Sequence, residues 1–331
     1  MMHQSTIEKF WGRMVTSTMD QNFIPQPEEN VGFRVGNYGR FNWSKHGKDC
    51  WLQRFPSIMV EMEWPPDHMI AYMDAIGVDK GVLQAGYMEI NYCREYYAKC
   101  MKKWPDRFIG TLSIDYDIDK SEEYRKAELK KLRDSVLKVG MRGVCQGFPR
   151  SQRDRMDDGC FDPFWEELTS LEVPHIFIIG FEPKSKYLDS LNRLERVLKK
   201  FPDLKGVIGH LGGNVRHPGN PDWTDTPKEL LKILKLPNAY FEVGYVLAYE
   251  NWNIWGNKYE YPYPLHTNIN KIVYEEIGAE RLLWSSDMPN IYRTCTYQQC
   301  LDLIRLHCDF MSDEHKNLVL GGNADRLYGT Q

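Results

Sequence analysis

Short apolar runs alternate with amphipathic segments from residue 67 onward, at the spacing of repeated strand and helix units. The runs are nearly continuous in hydrophobic residues, which is typical of parallel strands buried on both faces. Seven strands are predicted: Val78–Gln84, Arg107–Ile114, Met141–Cys145, Val173–Ile179, Leu204–His210, Ala239–Val243 and Arg281–Ser286. Between them, residues 184–201 predict a helix with one apolar face, formed by Leu188, Leu191, Leu194 and Leu198.

The first 66 residues have no clear period and are rich in Pro, Gly, Asn and aromatic residues. Arg13–Thr18 is the best candidate for a further strand at the start of the chain, which leaves Gln21–Pro66 as a long irregular connection. A second irregular, aromatic-rich insertion, Tyr249–Pro264, follows the seventh strand of the resulting eight. We therefore predict one α/β domain over residues 1–331, a (β/α)8 (TIM) barrel with an irregular segment 1–66 and βα repeats over 67–331.

Two of the predicted strands end on an ionisable residue next to a chain-turning Gly or Pro. One ends at His210, before Gly212 and Gly213, and the other continues to Asp287, before Pro289. The carboxyl ends of the strands are where a (β/α)8 barrel has its active site. Histidine titrates near neutral pH and a carboxylate can orient it, so this pair predicts acid/base catalysis. The structural alternatives are a core histidine held by backbone groups and a carboxylate that caps the turn at Pro289.

Three further polar residues are candidates for substrate binding. Arg142 could hold a substrate carboxylate through two hydrogen bonds, although an ion pair with a helix is an equally good interpretation. Gln146 and Glu242 end neighbouring strands and would line the pocket, unless they only bind water there.

Composition excludes several classes of protein. The chain has 42% hydrophobic and 27% charged residues and a net charge of −4, which gives no footprint for nucleic acid. No apolar run approaches the length of a membrane span and no signal-peptide core is present, so the expected location is the cytoplasm. The eight cysteines contain no CxxC pair and are expected to be free thiols. Neither a dinucleotide fingerprint nor a P-loop occurs, so nucleotide binding has no support.

Six segments, in order, carry a resemblance to a known family. They are Ile76–Leu83, Pro105–Gly110, Gly140–Val144, Phe201–Gly213, Leu282–Pro289 and Leu320–Gly329. Together they resemble the amidohydrolase-2 family, the group of metal-dependent barrels that includes the aminocarboxymuconate semialdehyde and hydroxybenzoate decarboxylases. The resemblance implies a metal-assisted decarboxylase or hydrolase that acts on a small carboxylic acid.

Matched position by position, the resemblance makes His210 a general acid/base and Asp287 a metal ligand and proton acceptor. The chain departs from the family elsewhere, because no His-x-His or Glu-x-His pair precedes residue 67. The position of the family's fifth-strand histidine is occupied by Ile178, and strand alternation would turn the nearby His175 to the opposite side. Zinc or manganese is the cofactor that the resemblance implies, with Asp287 and His210 as ligands only if a metal is bound.

Two hypotheses of different classes follow. In the first the protein is a lyase, a decarboxylase or a related hydrolase or hydratase of a small, for example aromatic, carboxylic acid. His210 would exchange the proton at the reacting carbon, Asp287 would orient it, and Arg142 would hold the carboxylate. In the alternative, the chain is a catalytically silent partner subunit without a complete metal site. A third possibility is an unusual metal site that is completed by ligands from the N-terminal segment. The aromatic insertions and the family resemblance are compatible with a homo-oligomer.

Overall fold

The structure is a computed structural model that describes most of the chain from residue 34 onward. The described residues are 34–45, 47–53, 55–61, 64–84, 90–145, 147–179, 184–210, 212, 228–244 and 261–329. Its strands are β1 Arg34–Val35, β2 Arg40–Lys45, β3 Lys48–Gln53, β4 Gly81–Leu83, β5 Phe108–Gly110, β6 Val144–Cys145, β7 His175–Phe177, β8 Gly206–Ile208, β9 Ala239–Val243 and β10 Leu282–Trp284. Its α-helices are α1 Pro66–Ile76, α2 Ile90–Lys103, α3 Glu122–Asp134, α4 Asp162–Ser170, α5 Lys184–Lys200, α6 Lys228–Leu234, α7 Pro264–Ile277, α8 Tyr297–His307, α9 Asp313–Asn317 and α10 Asn323–Tyr328.

Strands β4 to β10 form the wall of the barrel, and each lies inside one of the seven predicted strands. Strand β4 pairs in parallel with β5, and β6 to β10 pair in parallel in chain order. Leu112, two residues after β5, joins the two groups through a parallel bridge to Val144. The predicted parallel βα architecture is thereby confirmed. Among the described residues β4 and β10 are the two edges of this wall, and the predicted strand Arg13–Thr18 lies outside the described residues.

Alternate residues of the wall point into the barrel and pack on one another. The interior cluster consists of Val82, Ile109, Cys145, Ile176, Ile178, Val207, Tyr240, Leu283, Ala324, Leu327 and Tyr328. The last three belong to α10, whose side chains therefore contribute to the interior. Asn323, at the start of α10, fixes this helix to β10 because its amide donates to the carbonyls of Ala279 and Leu282, each at 2.7 Å.

The helices cover the outside of the wall, as the leucine pattern predicts. In α5 the side chains of Leu191, Leu194 and Leu198 are fully buried, and Leu188 is partly buried against the same core. The helix α1 ends at Gly77, whose φ of 72° provides the left-handed terminus that glycine favours. None of the described helices is long and apolar enough to span a membrane.

The prediction that the whole segment 1–66 is irregular was wrong for residues 34–53. Strands β1, β2 and β3 form an antiparallel sheet, with Lys45 paired to Lys48 around a tight turn that includes Gly47 at φ 71°. Phe41 in β2 is fully buried. These strands have no common hydrophobic period, because the apolar residues alternate with polar ones in β2 but are consecutive in β3, as Cys50, Trp51 and Leu52. The second insertion, Tyr249–Pro264, lies mostly outside the described residues.

His175 in β7 points away from the barrel interior, as strand alternation predicts. Its ring stacks on Phe148 with a centroid distance of 5.8 Å and also contacts Phe164, Trp165 and Phe177. Neither ring nitrogen has a hydrogen-bond partner in the structure. Burial, with a smaller contribution from the positive charge of Arg153, lowers the pKa of His175 to about 3.

We expect His175 to make the fold sensitive to mild acid. Its pKa is lower in the folded state than in the unfolded state, so unfolding takes up a proton below pH 6.5. Stability is therefore complete above that pH and falls by up to about 1.4 kcal/mol per pH unit as the pH drops toward 3. His175→Leu should show a smaller loss of unfolding free energy between about pH 7 and about pH 5 in urea titrations. An equal loss in both proteins would show that His175 is not the titrating group.

Candidate active site

A cavity of about 700 Å³ lies beside β4 and β10. Its walls include the whole of β4, residues of β10 and the segment Ser285–Met288 that follows it. Towards the carboxyl ends of the strands the cavity is lined by Gln84, His210, Glu242 and Asp287. The two residues predicted to be catalytic therefore face one cavity, together with Glu242, which was predicted to bind substrate. The wall contributes these side chains because parallel strands end at the same edge of a sheet.

His210 and Asp287 both adopt a backbone conformation that is unusual for residues other than glycine. The φ angle is 57° at His210 and 49° at Asp287. Left-handed residues of this kind cost free energy and occur preferentially at functional sites, where the surrounding structure holds them in place. His210 is also largely buried, with 8% of its surface exposed. These observations favour a site over the alternative of an ordinary core histidine.

Asp287 is held by the turn that follows it. The Asn290 side-chain amide donates to its carboxylate at 2.9 Å, and the backbone amides of Asn290 and Ile291 donate to its carbonyl at 2.6 and 3.3 Å. The carboxylate is thus positioned by a short local network that begins one residue after Pro289. Asp287 therefore stabilises this turn and also lines the cavity. The capping interpretation and the site interpretation are both compatible with its position.

Glu242 is buried inside the barrel with 3% of its surface exposed. It faces inward from β9, which lies between β8 and β10, so it stands between the strands that lead to His210 and Asp287. The amide nitrogen of Gln84, at the end of β4, donates to Glu242 Oε1. On the other side, a Cβ atom on Gly209 would lie 3.3 Å from Glu242 Oε2. Glycine at this position leaves room for the carboxyl group.

The environment of Glu242 favours its neutral form. Burial raises its pKa to about 7; the bond from Gln84 opposes this shift, and the negative charge of Asp287 adds to it. A carboxyl group that is half protonated near neutral pH, in a cavity beside a histidine, is a recognised sign of an acid/base site.

Sequence reasoning missed Gln84, Tyr97 and Ser285, three polar residues that line the cavity. Gln84 ends a predicted strand, and Tyr97 on α2 donates from its hydroxyl to the Gln84 carbonyl at 3.0 Å. Ser285 lines the cavity, and its buried Oγ has no hydrogen-bond partner in the structure. Gln84 and Ser285 could have been found by the same signal as His210, namely a polar residue at the end of a predicted strand.

Two predicted site residues are not brought to the cavity by the described part of the structure. Arg142 is exposed, two residues ahead of β6, and is not among the cavity residues. We predicted Arg142 within a strand over Met141–Cys145, but β6 begins only at Val144, so Arg142 lies before the strand. Gln146 lies outside the described residues.

A family model described as amidohydrolase matches residues 51–330, which is most of the chain. The chain belongs to the amidohydrolase family. This confirms the resemblance drawn from the six sequence segments. No curated protein sequence matches the chain at a significant level.

Solved structures of this family share the fold. A 4-oxalomesaconate hydratase from Rhodopseudomonas palustris is 20% identical, with a TM-score of 0.53 over 81% of this chain and 84% of that one. A dihydroxybenzoic acid decarboxylase from a Polaromonas species, solved with manganese and 2-nitroresorcinol, is 17% identical, with a TM-score of 0.55 over 80% and 86%. A 2,6-dihydroxybenzoate decarboxylase with its substrate is 16% identical, with a TM-score of 0.57 over 84% and 90%. At these identities the comparison establishes the barrel fold.

The described residues do not fit a catalytic divalent metal. Within the described ranges no group of three His, Cys, Asp or Glu side chains lies close enough to hold one. Ile178, at the position of the family's fifth-strand histidine, packs with hydrocarbon in the barrel interior. A catalytic zinc site needs three protein ligands and an open position, and Asp287 with His210 does not supply them.

The position of Ile178 provides a test of this ligand count. Its Cγ1 and Glu242 Oε2 both lie within 4 Å of a Cβ placed on Gly209, so an imidazole there would adjoin a carboxylate. Ile178→His should raise zinc affinity at least about tenfold, because an imidazole donor is added beside the carboxyl group of Glu242. Zinc titration followed by elemental analysis measures this, with Ile178→Leu as the control that adds no donor. Equal zinc binding by the two variants would contradict our placement of Ile178.

Proposed function

We propose that the protein is a lyase that acts at one carbon of a small carboxylic acid. Its reaction is decarboxylation, and His210 is the general acid/base. The observation that carries this proposal is the convergence of His210, Asp287 and Glu242 on one cavity at the carboxyl ends of three neighbouring strands. Hydroxybenzoate decarboxylases and a hydratase among the structures of similar fold support the same class of reaction.

Decarboxylation requires one proton at the carbon that loses carbon dioxide. Protonated His210 donates it to the carbon that bears the carboxylate, and the bond to the carboxylate then breaks. The electron pair of that bond returns to the carbon skeleton, carbon dioxide leaves, and His210 recovers its proton from solvent. A positioned histidine contributes about 100-fold to 10,000-fold to such a proton transfer.

Asp287 supports this cycle through charge and orientation. A carboxylate beside a histidine favours the imidazolium form, which is the form that donates the proton. The hydrogen bond from Asn290 keeps the Asp287 side chain in one orientation, so the carboxylate does not have to reorient during the reaction. In the decarboxylation, Asp287 remains ionised and Glu242 supplies no proton to carbon.

The experiment is turnover of 2,6-dihydroxybenzoate and related hydroxybenzoates in deuterium oxide. We expect release of carbon dioxide and incorporation of one deuterium at the carbon that carried the carboxylate. The same deuterium exchange should occur on the product alone, because His210 protonates and deprotonates that carbon reversibly. A complete lack of turnover and of exchange across these acids would reject the proposed reaction and favour the silent partner subunit.

His210→Asn is the most informative substitution. Asparagine tolerates the left-handed backbone that His210 adopts, whereas alanine adds backbone strain that could unfold the site. We expect kcat/KM to fall at least about 100-fold with the melting temperature nearly unchanged. Activity retained in a destabilised His210→Asn protein would show that His210 is a core residue.

Asp287→Asn separates charge from geometry. The new amide keeps a carbonyl oxygen that can accept the bond from Asn290, and asparagine again suits the left-handed backbone. The loss of negative charge should lower kcat about tenfold or more and shift the basic limb of its pH profile to lower pH, since the imidazolium is less favoured. An unchanged pH profile would show that Asp287 does not act on the histidine.

A further inference from the structure

Two cysteines meet at the start of helix α8. The helix begins at Tyr297 and has Thr296 as its N-cap, so Cys295 directly precedes the cap and Cys300 is the fourth helical residue. Side chains at these two positions face each other at many helix starts, where their contact is known as a hydrophobic staple. Both cysteines are free thiols and belong to the same buried cluster. The geometry of the helix start thus brings two thiols together.

Hydrogen bonds hold this helix start in place. The Gln299 amide nitrogen of the backbone donates to Thr296 Oγ1 at 3.1 Å, and the backbone amide of Thr296 donates to Gln299 Oε1 at 2.9 Å. The backbone amide of Cys300 donates to the Thr296 carbonyl at 3.1 Å. This capping box fixes the first turn of the helix, so the positions before and after it stay in register.

The two thiols are hydrogen-bonded to each other, and they differ in accessibility. The bond with Cys295, together with burial, raises the pKa of Cys300. Cys300 is fully buried, whereas 7% of the surface of Cys295 is exposed. A small reagent therefore reaches the sulfur of Cys295 first, while Cys300 remains a neutral thiol behind it.

Both cysteines are bonded to the segment Ser285–Met288, which lines the cavity. Cys300 Sγ donates to the carbonyl of Ser285 at 3.9 Å. The backbone amide of Cys295 donates to the carbonyl of Ile291 at 3.0 Å, and the amide of Ile291 donates to the carbonyl of Asp287 at 3.3 Å. A chemical change at the two sulfur atoms therefore reaches this segment from two sides.

We propose that Cys295 and Cys300 are a redox-sensitive modification site, which a peroxide converts into a disulfide, and that the disulfide loosens the cavity segment at Ser285. A disulfide has no S–H group, so the carbonyl of Ser285 loses the bond from Cys300. The sulfur atoms of a disulfide are about 2.05 Å apart, closer than two hydrogen-bonded thiols, so Cys300 Sγ also moves toward Cys295. The modification goes beyond the proposed reaction and does not depend on it.

The oxidation consumes one hydrogen peroxide and releases two water molecules. The Cys295 thiolate attacks one peroxide oxygen, the O–O bond breaks, and hydroxide leaves while Cys295 becomes a sulfenic acid. The sulfur of Cys300 then attacks the sulfur of Cys295 and displaces the second hydroxide. The two thiol protons convert both hydroxides to water. The two sulfur atoms together lose two electrons, which the peroxide gains.

Peptide mass spectrometry tests the formation of the disulfide. The protein is treated with hydrogen peroxide, alkylated with iodoacetamide in denaturant, and digested with trypsin without reduction. Trypsin releases Thr294–Arg305, which contains Cys295 and Cys300 and no other cysteine. After peroxide we expect this peptide to be two hydrogen atoms lighter than its reduced form and to carry no alkyl group.

The untreated protein should carry an alkyl group on each of the two sulfur atoms. Cys308, which is also buried and lies in the next tryptic peptide, should stay alkylated after peroxide. Alkylation of both Cys295 and Cys300 after peroxide would overturn the proposal. So would a sulfinic acid at Cys295 beside an alkylated Cys300, because the two sulfur atoms would then not react with each other.

Hydrogen exchange of the same samples tests the effect on the cavity segment. We expect the backbone amides of residues 285–291 to exchange at least about threefold faster in the oxidised wild type, because a supporting hydrogen bond is lost. Cys300→Ser keeps a hydroxyl donor for Ser285 but cannot form the disulfide, so peroxide should leave its exchange unchanged. Cys160→Ser removes an exposed thiol and should behave as the wild type.

Unchanged exchange in the disulfide-bonded wild type would overturn the link to the cavity. Equally fast exchange in peroxide-treated Cys300→Ser would also overturn it, since peroxide would then act elsewhere. Neither measurement requires turnover or a bound acid. Failure of this modification site and failure of the proposed reaction therefore give different results.

Discussion

The arrangement of the site depends on one buried carboxyl group. Glu242 lies inside the barrel, where an ionised carboxylate without a cation is strongly unfavourable. The protein meets this constraint with a donor from Gln84 and with space beside Gly209, and the nearby charge of Asp287 favours the neutral acid further. Residues from β4, β8, β9 and the end of β10 therefore have to be held together. The parallel wall accomplishes this because its strands end in one layer.

The backbone shows how firmly this layer is held. His210 and Asp287 both have positive φ angles, which their side chains disfavour, and both lie directly beyond well-paired strands. The surrounding packing stabilises them: Asn290 and Ile291 bond to Asp287, and Gly212 follows His210 at φ 66°. The rigid barrel thus offsets the backbone strain at both of these cavity-lining positions.

The sequence predicted the seven strands and the two catalytic candidates because these depend on local patterns. An apolar run ending in His210 or Asp287 can be recognised without knowledge of its neighbours in space. The alternation of side chains along a strand is enough to place His175 and Ile178 on opposite faces of the sheet. The Gln84–Glu242 bond joins residues far apart in the chain, and no local pattern indicates it. Arg142 lies outside β6 because strand pairing, which no local pattern indicates, decides where that strand begins. Strands β1 to β3 were missed because they are short and share no hydrophobic period.

The hydrocarbon at Ile178 and the neutral state of Glu242 have a common physical origin. Both side chains approach Gly209, Ile178 with Cγ1 and Glu242 with Oε2. Isoleucine supplies no donor for a metal, and its hydrocarbon beside the carboxyl group does not stabilise a carboxylate. The same side chain therefore disfavours metal binding and favours the protonated form of Glu242. One hydrocarbon side chain beside Gly209 thus connects two features of the described residues, the lack of a third metal donor and the raised pKa of Glu242.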